Sequence, residues 1–351
     1  MVSSRECFNP SEETFVTKSE PQKDLGAEAV VARGHGRAKL ILFGEHAVVY
    51  GKPAVAAGLP RGATATVQFS DAAVHQLTLR SALDEDVYAR VECGAALDNV
   101  GVDAGDGERL CKAFAAILGH FDCPKTLQVD VTIEVPMGVG LGSSAALSVA
   151  VARGIGQLLG QPEQVDEAVD ASERVFHGNP SGLDQMMAAS KSGVYFYARA
   201  YDSELEVAPI EAPALTLAVC EAGPAASTAA MVEMVAQRRL RESQLIDSVN
   251  QVIGDTARAA SAALTDGDWA RVGELMDINH GALSSLGVTT RAIDAACHVA
   301  RGAGALGAKL TGAGGGGCVV ALTPGGAEDV LKAWAEHGWS GFEVTIDHRS
   351  K

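Results

Sequence analysis

The sequence offers no CxxC pair. Its seven cysteines (Cys7, Cys93, Cys111, Cys123, Cys220, Cys297 and Cys318) are scattered and odd in number. That excludes a disulfide scaffold and a zinc knuckle, and it fits a reducing, cytoplasmic setting. No uninterrupted apolar run reaches the roughly 18 residues that a membrane span needs, and the longest candidate helix contains Arg153. Met1–Lys23 is polar throughout, so no signal peptide is expected. Basic side chains are scarce, 28 Lys and Arg against 44 Asp and Glu, for a net charge of −16. Broad binding to nucleic acid or to an anionic membrane is not expected of such a chain. Backbone amides, a lysine and a metal can still hold a nucleotide locally. The P-loop patterns GxxxxGKS and GxxxxGKT are missing, because no lysine precedes Ser143.

What is present is length and apolar content: 351 residues, 47% hydrophobic, suffice for two domains with sizeable cores. The chain is organised around Pro136–Gly160, PMGVGLGSSAALSVAVARGIGQLLG. Just before it, Leu127, Val129, Val131, Ile133 and Val135 alternate with Gln128, Asp130, Thr132 and Glu134, the period of a half-buried strand. Glycines follow at every second position, Gly138, Gly140 and Gly142. Ser143 and Ser144 then open an Ala/Leu/Val-rich run of about four helical turns, closed by Gly160 and Pro162. Strand, glycine loop and helix together offer unpaired N–H groups and a positive dipole end to an anion. We read a phosphate cradle here, built from Pro136, Gly138, Gly140, Leu141, Gly142, Ser143, Ser144 and Ala145. On spacing alone the same loop could be a tight turn with close packing. A dinucleotide site would want GxGxxG opening a βαβ unit and an acidic residue about twenty positions on. Here Glu163 follows a full helix and a turn, not a second strand.

Residues 1–33 are rich in Ser, Glu, Lys and Pro and are expected to form a mobile tail without a catalytic role. Arg37–Leu59 reads as a strand, a turn at Gly44–His46, and more strand through Val55. Lys39 beside Leu40–Phe43 is most simply a snorkelling surface group, and Glu45–His46 a solvated pair, unless other chemistry converges on them. Strands are expected at Ala63–Phe69, Gln76–Arg80 and Val87–Glu92, a turn-rich loop at Asp98–Gly107, and a helix at Gly107–Leu118. Glu163–Phe176 reads as a second helix, broken by His177-Gly-Asn-Pro-Ser-Gly-Leu-Asp184, a loop dense in turn formers and polar groups. Glu173 and Asp184 flank it. Two carboxylates can hold Mg2+ through oxygen ligands, or one can hold the metal while the other orients a hydroxyl. Asp184 can equally well cap a helix at Gln185–Ala189.

Strands VYFYA and LTLAV follow between Gly193 and Val219. A shift from strands to helices near residue 210 marks the expected domain boundary, with an α+β pattern in each half. A long helix is expected at Ala229–Leu264, opened by Ser227 and Thr228, with two more at Asp268–Met276 and Thr289–Gly302. Gly312, Gly314 and Gly317 formally match GxGxxG, but the apolar run Cys318–Leu322 behind them is a strand. A glycine hairpin whose backbone passes close to a ligand or a neighbouring domain fits better. Phe342–Ile346 is a closing strand.

Three separated pieces, GRAKLILFGEHAVVYG, PMGVGLGSSAA and KLTGAGGGGC, resemble in order and spacing the three signature motifs of the GHMP kinase family, over residues 37 to 322. GEHAVVYG and a fourth piece, Glu173 followed by HGNPSGLD, resemble the branch of that family whose acceptor is mevalonate. The resemblance implies a two-domain α+β GHMP kinase fold with ATP and substrate in the cleft between the domains. Residues 34–210 would form the N-terminal ATP-binding domain and 211–351 the C-terminal domain. It implies transfer of the ATP γ-phosphoryl to the C5 hydroxyl of mevalonate with Mg2+, in a family whose members are often dimers. By the same resemblance Gly138–Ser144 cradles the triphosphate, and Ser144 or Ser143, with Glu173, ligates Mg2+. Asp184 receives or orients the substrate hydroxyl proton, and Lys39 stabilises charge on Asp184 and on the transferring phosphoryl. Glu45, His46 and Thr228 face the substrate, while Gly312–Gly317, with Gly312 and Gly314, shapes the cleft from the second domain.

One departure is visible. The family's first motif has Pro-Gly before its lysine, where this chain has Arg37-Ala38. The loop shape there is expected to differ while Lys39 keeps its chemistry. Other acceptors within the family, a sugar or a phosphorylated mevalonate, stay open. A phosphorylated acceptor calls for more Lys and Arg than Lys39 and Lys52 in the motif regions. A non-catalytic, ligand-sensing member would lack the lysine or one carboxylate, and Lys39, Glu173 and Asp184 are all present.

Overall fold

The computed structural model describes residues 30–83, 87–94, 99–102, 107–177, 182–198 and 206–347. The first half contains β1 (Val31–Phe43), β2 (Ala54–Phe69), β3 (His75–Ser81), β4 (Val87–Cys93), β5 (Asn99–Val102), α1 (Gly107–Leu118) and β6 (Leu127–Ile133). It continues with α2 (Ser143–Leu159), α3 (Val165–His177), α4 (Leu183–Ala189), β7 (Gly193–Ala198) and β8 (Glu206–Ile210). The second half runs through β9 (Leu215–Gly223), α5 (Thr228–Arg241), α6 (Ser243–Asp266), α7 (Trp269–Leu286) and α8 (Arg291–Gly302). It ends with β10 (Ala308–Leu310), β11 (Gly317–Leu322), α9 (Glu328–Glu336) and β12 (Gly341–Ile346). The fold is α+β with two sheets. The larger has the order β5-β4-β3-β6-β2-β7-β8 with β1 on β2, and only its β3–β6 pairing is parallel among the described residues. The smaller is antiparallel, β10-β11-β9-β12.

The alternation in β6 does what its period requires: Leu127, Val129, Val131 and Ile133 are buried and Thr132 is exposed. Helix α2 is apolar on nearly every side because it lies across β1 and β2, in the interior. The approach is close enough that a Cβ on Gly36 would stand 2.1 Å from the Ala146 carbonyl oxygen. Only glycine permits it. The same approach brings the start of α2 beside Lys39, whose backbone N–H donates to Leu141 O at 2.9 Å. The main apolar core is continuous from β1, β2, β6 and α2 into β9, β11, β12, α6 and α7, so the two sheets share it. A second cluster lies under α5, α8 and α9. No helix among the described residues is long and apolar enough to cross a membrane.

Several expectations change. Residues 1–29 of the expected tail lie outside the described residues, but Val31, Ala32 and Arg33 are strand, paired with Gln68, Val67 and Thr66. After Phe43 the chain does not run on as strand. Gly44 (φ 101°) and His46 (φ 59°) reverse it into a short 3-10 turn at Ala47–Tyr50, and β2 begins only at Ala54. Strand β5 occupies part of the expected loop Asp98–Gly107, whose residues 98 and 103–106 lie outside the described residues, as do 178–181 of the HGNPSGLD segment. The expected helix Ala229–Leu264 is two helices, broken at Glu242 (φ −132°, ψ 55°). No apolar stripe carries across the break, where Leu240 and Leu245 are exposed, and an Arg239–Asp247 ion pair ties its two sides together. Helix α7 runs ten residues past Met276, to Leu286. Strand β8 and helix α9 were not expected.

Candidate active site

A cleft of about 390 Å³ opens where the larger sheet and its helices face α5 and the β10–β11 hairpin. Its floor is the glycine loop. Gly138, Gly140 and Gly142 have φ of 75°, 91° and 71°, all left-handed, so the alternation seen in the sequence is a backbone requirement. The loop delivers the first turn of α2 to the cleft, with Ser143 and Ser144 among the lining residues. Ser143 Oγ accepts from Gly138 N at 3.5 Å, while Ser144 Oγ is 3.0 Å from His177 Nε2.

Lys39 and Asp184 meet over this loop, Nζ to Oδ1 at 3.1 Å. Lys39 is only 4% exposed, so it is no surface group. Its stem rests against Gly142, where an added Cβ would stand 2.8 Å from Lys39 Cγ. Asp184 sits in the first turn of α4 and keeps about a third of its side chain open to the cleft. It does not cap α4, whose N-cap is Gly182.

Behind Ser144, Glu173 is fully buried on α3. The Ser148 hydroxyl approaches its Oε1 at 3.5 Å, but Oε2 has no hydrogen-bond partner, and His177 Nε2 stands 3.7 Å from it. Burial, reinforced by the Asp184 carboxylate, pushes the Glu173 carboxyl up to about 8 against the opposing Ser144, Ser148 and Lys39. Burial lowers the His177 pKa, so its ring is neutral at pH 7. A carboxylic acid whose folded pKa lies above its unfolded value stabilises the fold below that unfolded value, and the stabilisation is lost as pH rises through the folded one. In the absence of divalent cations Glu173 therefore lowers stability progressively as pH rises from about 4.5 to about 8, opposed in the lower part of that range by His35, His46, His75, His177 and His280, whose pKa values are lowered. Glu173→Gln is expected to remove that contribution, so that its melting temperature rises relative to wild type as pH increases across the range. Parallel slopes in variant and wild type would contradict the assignment.

The far end of the cleft is built from both halves. Glu45 and His46 come from the turn after β1, Thr228 from the start of α5, and Gly312 and Ala313 from the hairpin. His46 donates from Nε2 to Ala313 O at 2.8 Å, which leaves Nδ1 as an acceptor. Burial lowers its pKa and keeps the ring neutral. Thr311 Oγ1 accepts from Ile41 N at 3.1 Å and donates to Ile41 O at 3.0 Å. Gly312 packs against Gly140, a Cβ on it falling 3.4 Å from Gly140 Cα.

The arrangement has counterparts. Family models describing the GHMP kinases N terminal domain and the GHMP kinases C terminal match residues 108–193 and 260–338. A "Mevalonate kinase" of Pyrococcus horikoshii is 33% identical over 313 residues, covering 84% of this chain and 90% of that protein. The chain belongs to the GHMP kinase family. Another "Mevalonate kinase", from Methanothermobacter thermautotrophicus, is 34% identical over 299 residues, with 84% of this chain and 91% of that protein covered. Among solved structures, L. major mevalonate kinase in complex with R-mevalonate superposes with a TM-score of 0.78 at 24% identity, over 92% of this chain and 98% of that one. Lactococcus lactis galactokinase complexed with galactose superposes at 0.68 and 19% identity, over 90% and 93%. These two likenesses establish the fold. As a GHMP kinase the chain is an ATP-dependent phosphotransferase.

The GHMP cleft gathers Lys39, Asp184, Gly138, Gly140, Gly142, Ser143, Ser144, Glu45, His46, Thr228 and Gly312 from the residues singled out in the sequence. Leu141 and Ala145 point into the core, and Pro136 does not line the cleft. Gly314 is turned away: a Cβ there would strike the Val288 carbonyl at 2.2 Å, so its glycine serves hairpin packing and not the cleft. Lys52 is half-buried outside the cleft lining and donates to Gln251. Sequence reasoning missed Arg109, on the first turn of α1, and His177 as lining residues, and Lys309, Asn279 and Thr311 as supports. Lys309 and Thr311 lay within the quoted glycine motif but were passed over for its glycines. Asn279, in mid-helix, gives no local signal.

Proposed function

We propose that this GHMP kinase transfers the ATP γ-phosphoryl to the C5 hydroxyl of mevalonate, giving 5-phosphomevalonate and ADP. The observation that carries the reading is the Lys39–Asp184 pair at 3.1 Å over a left-handed glycine loop that opens α2. The triphosphate lies along Gly138–Ser144 with its oxygens on the loop amides and the N-terminal end of α2. Asp184 accepts or orients the proton of the attacking hydroxyl. Lys39 holds the Asp184 carboxyl group in place and stabilises charge spreading over the transferring group, the positioning and neutralisation that phosphoryl transfer needs.

The donor set fits Mg2+. Glu173 offers a buried, unpartnered carboxylate oxygen, and Ser144, which lines the cleft, keeps its lone pairs for a cation when its hydroxyl donates to neutral His177. Oxygen donors of this kind suit a hard divalent cation that keeps part of its shell for phosphates. We assign the role to Ser144 over Ser143, whose hydroxyl faces Gly138 N. A cation held by Glu173 and Ser144 would neutralise phosphate charge.

His46 and Thr228 face the acceptor, with the hydroxyl and free amides at the opening of α5 available to its carboxylate. The lining cations among the described residues are Lys39, already paired with Asp184, and Arg109 on α1. That favours an acceptor without a phosphate. The test is ADP release with Mg-ATP against mevalonate, 5-phosphomevalonate, galactose and homoserine. Turnover with mevalonate alone is expected, and turnover with another acceptor in its place overturns the substrate assignment.

A further inference from the structure

A fully buried ion pair joins the two halves of the molecule. Lys309 on β10 is fully buried and forms an ion pair with Glu45, which is itself 1% exposed. Neither oxygen of Glu45 is left over: Oε1 takes Lys309, and Oε2 accepts from Asn279 Nδ2 at 3.1 Å. Asn279 is held in turn by Thr256, whose hydroxyl donates to its Oδ1 at 3.1 Å, and Lys309 donates further to Leu310 O at 2.6 Å. Taking two charges out of water costs several kcal/mol per ion, repaid only by good geometry and full hydrogen bonding. Such a pair is weak as a source of stability. Its effect is to fix where its two ends sit.

What it fixes is next to it in the chain. His46 has φ 59° and ψ −47°, the one non-glycine residue with positive φ among those described. A β-carbon in that region is strained and persists only where the surroundings hold it. On the other side, two residues beyond β10, lies Gly312, and Ala313 receives the His46 bond. We infer that Lys309 is a positioning residue of the acceptor site. Through Glu45 it holds the strained His46 turn against the hairpin, so that His46 Nδ1 and the Gly312–Ala313 edge keep their places in the cleft. Lys309 does not line the cleft, and Glu45, although it lines it, has both carboxylate oxygens taken by Lys309 and Asn279, so it serves as the link. The inference rests on the reading above, in which His46 faces the acceptor.

Three variants test it: Lys309→Met, Glu45→Gln, and the two combined. Each is expected to raise the acceptor KM by about tenfold or more, the scale on which small misplacements act, while the dissociation constant for ADP stays within about twofold. The combined variant is expected to be no worse than either single one, since all three remove the same link. It also leaves no unpaired buried charge, so it folds and can be measured if Lys309→Met does not. An acceptor KM at the wild-type value in the combined variant overturns the inference, as do losses that multiply or that strike ADP binding equally. The ratios are taken on whichever acceptor the wild type phosphorylates. Wild-type turnover on mevalonate judges the functional reading separately.

Discussion

Asp184→Asn is expected to lower kcat by about 10²–10⁴-fold, the range of a lost acid–base or orienting group, with ADP binding nearly unchanged. Asn keeps the size and can still meet Lys39, but it cannot receive the hydroxyl proton. Lys39→Met is expected to fall in the same range for a different reason. It leaves Asp184 without its cation at 3.1 Å, in a cleft whose only other lining lysine or arginine among the described residues is Arg109. The nucleotide is held largely by loop amides and the α2 terminus, which neither substitution touches, so the loss should appear in kcat and not in nucleotide affinity. Steady-state rates together with fluorescence titration of ADP measure both. Turnover within a few fold of wild type in either variant contradicts the assigned roles.

Gly142→Ala is expected to cost about 1–2 kcal/mol of stability for its left-handed backbone and, in addition, to lower kcat by about 100-fold. The second effect follows from contact. The new methyl would stand 2.8 Å from Lys39 Cγ, and Lys39, buried and pinned by its backbone to Leu141, can yield only by moving Nζ off Asp184. Displacements of this size at a reacting centre cost about two orders of magnitude. Gly160→Ala provides the comparison. It has nearly the same φ, 69°, at the other end of α2, with nothing within 4 Å of the new Cβ. It should lose similar stability in thermal melts and keep full activity. Equal activity in the two variants contradicts a contact-driven loss at Gly142.

The strand, glycine loop and α2 were readable in the sequence because their signals are local: a period of two, glycines at alternate positions, and an apolar run ended by Gly160. Helix α1 was readable for the same reason. Lys39 shows the limit. Beside an apolar run it looks like a snorkelling side chain, and what buries it is α2, brought close by Gly36, whose partner carbonyl lies more than a hundred residues away. Glu45 shows it more sharply, since its partner Lys309 is 264 residues distant and the pair exists only once the two sheets pack. The break at Glu242 is illegible because the RRLRES stretch has ordinary helix formers, and the exposed residues 240–245 give no local signal for a stop. Helix α9 was in view and overlooked: Val330 and Trp334, four apart and both buried, mark its inward face.

The central claim is a phosphoryl group placed on one particular oxygen. Mevalonate offers a primary hydroxyl on C5 and a tertiary one on C3, and a proton-coupled phosphorus NMR spectrum of the product separates them. Run on the reaction of the full chain with Mg-ATP and mevalonate, it should show the product phosphorus split into a triplet by the two C5 protons, as ADP accumulates in equal amount. An unsplit phosphorus signal, or ADP formed without any phosphorylated mevalonate, would contradict the account.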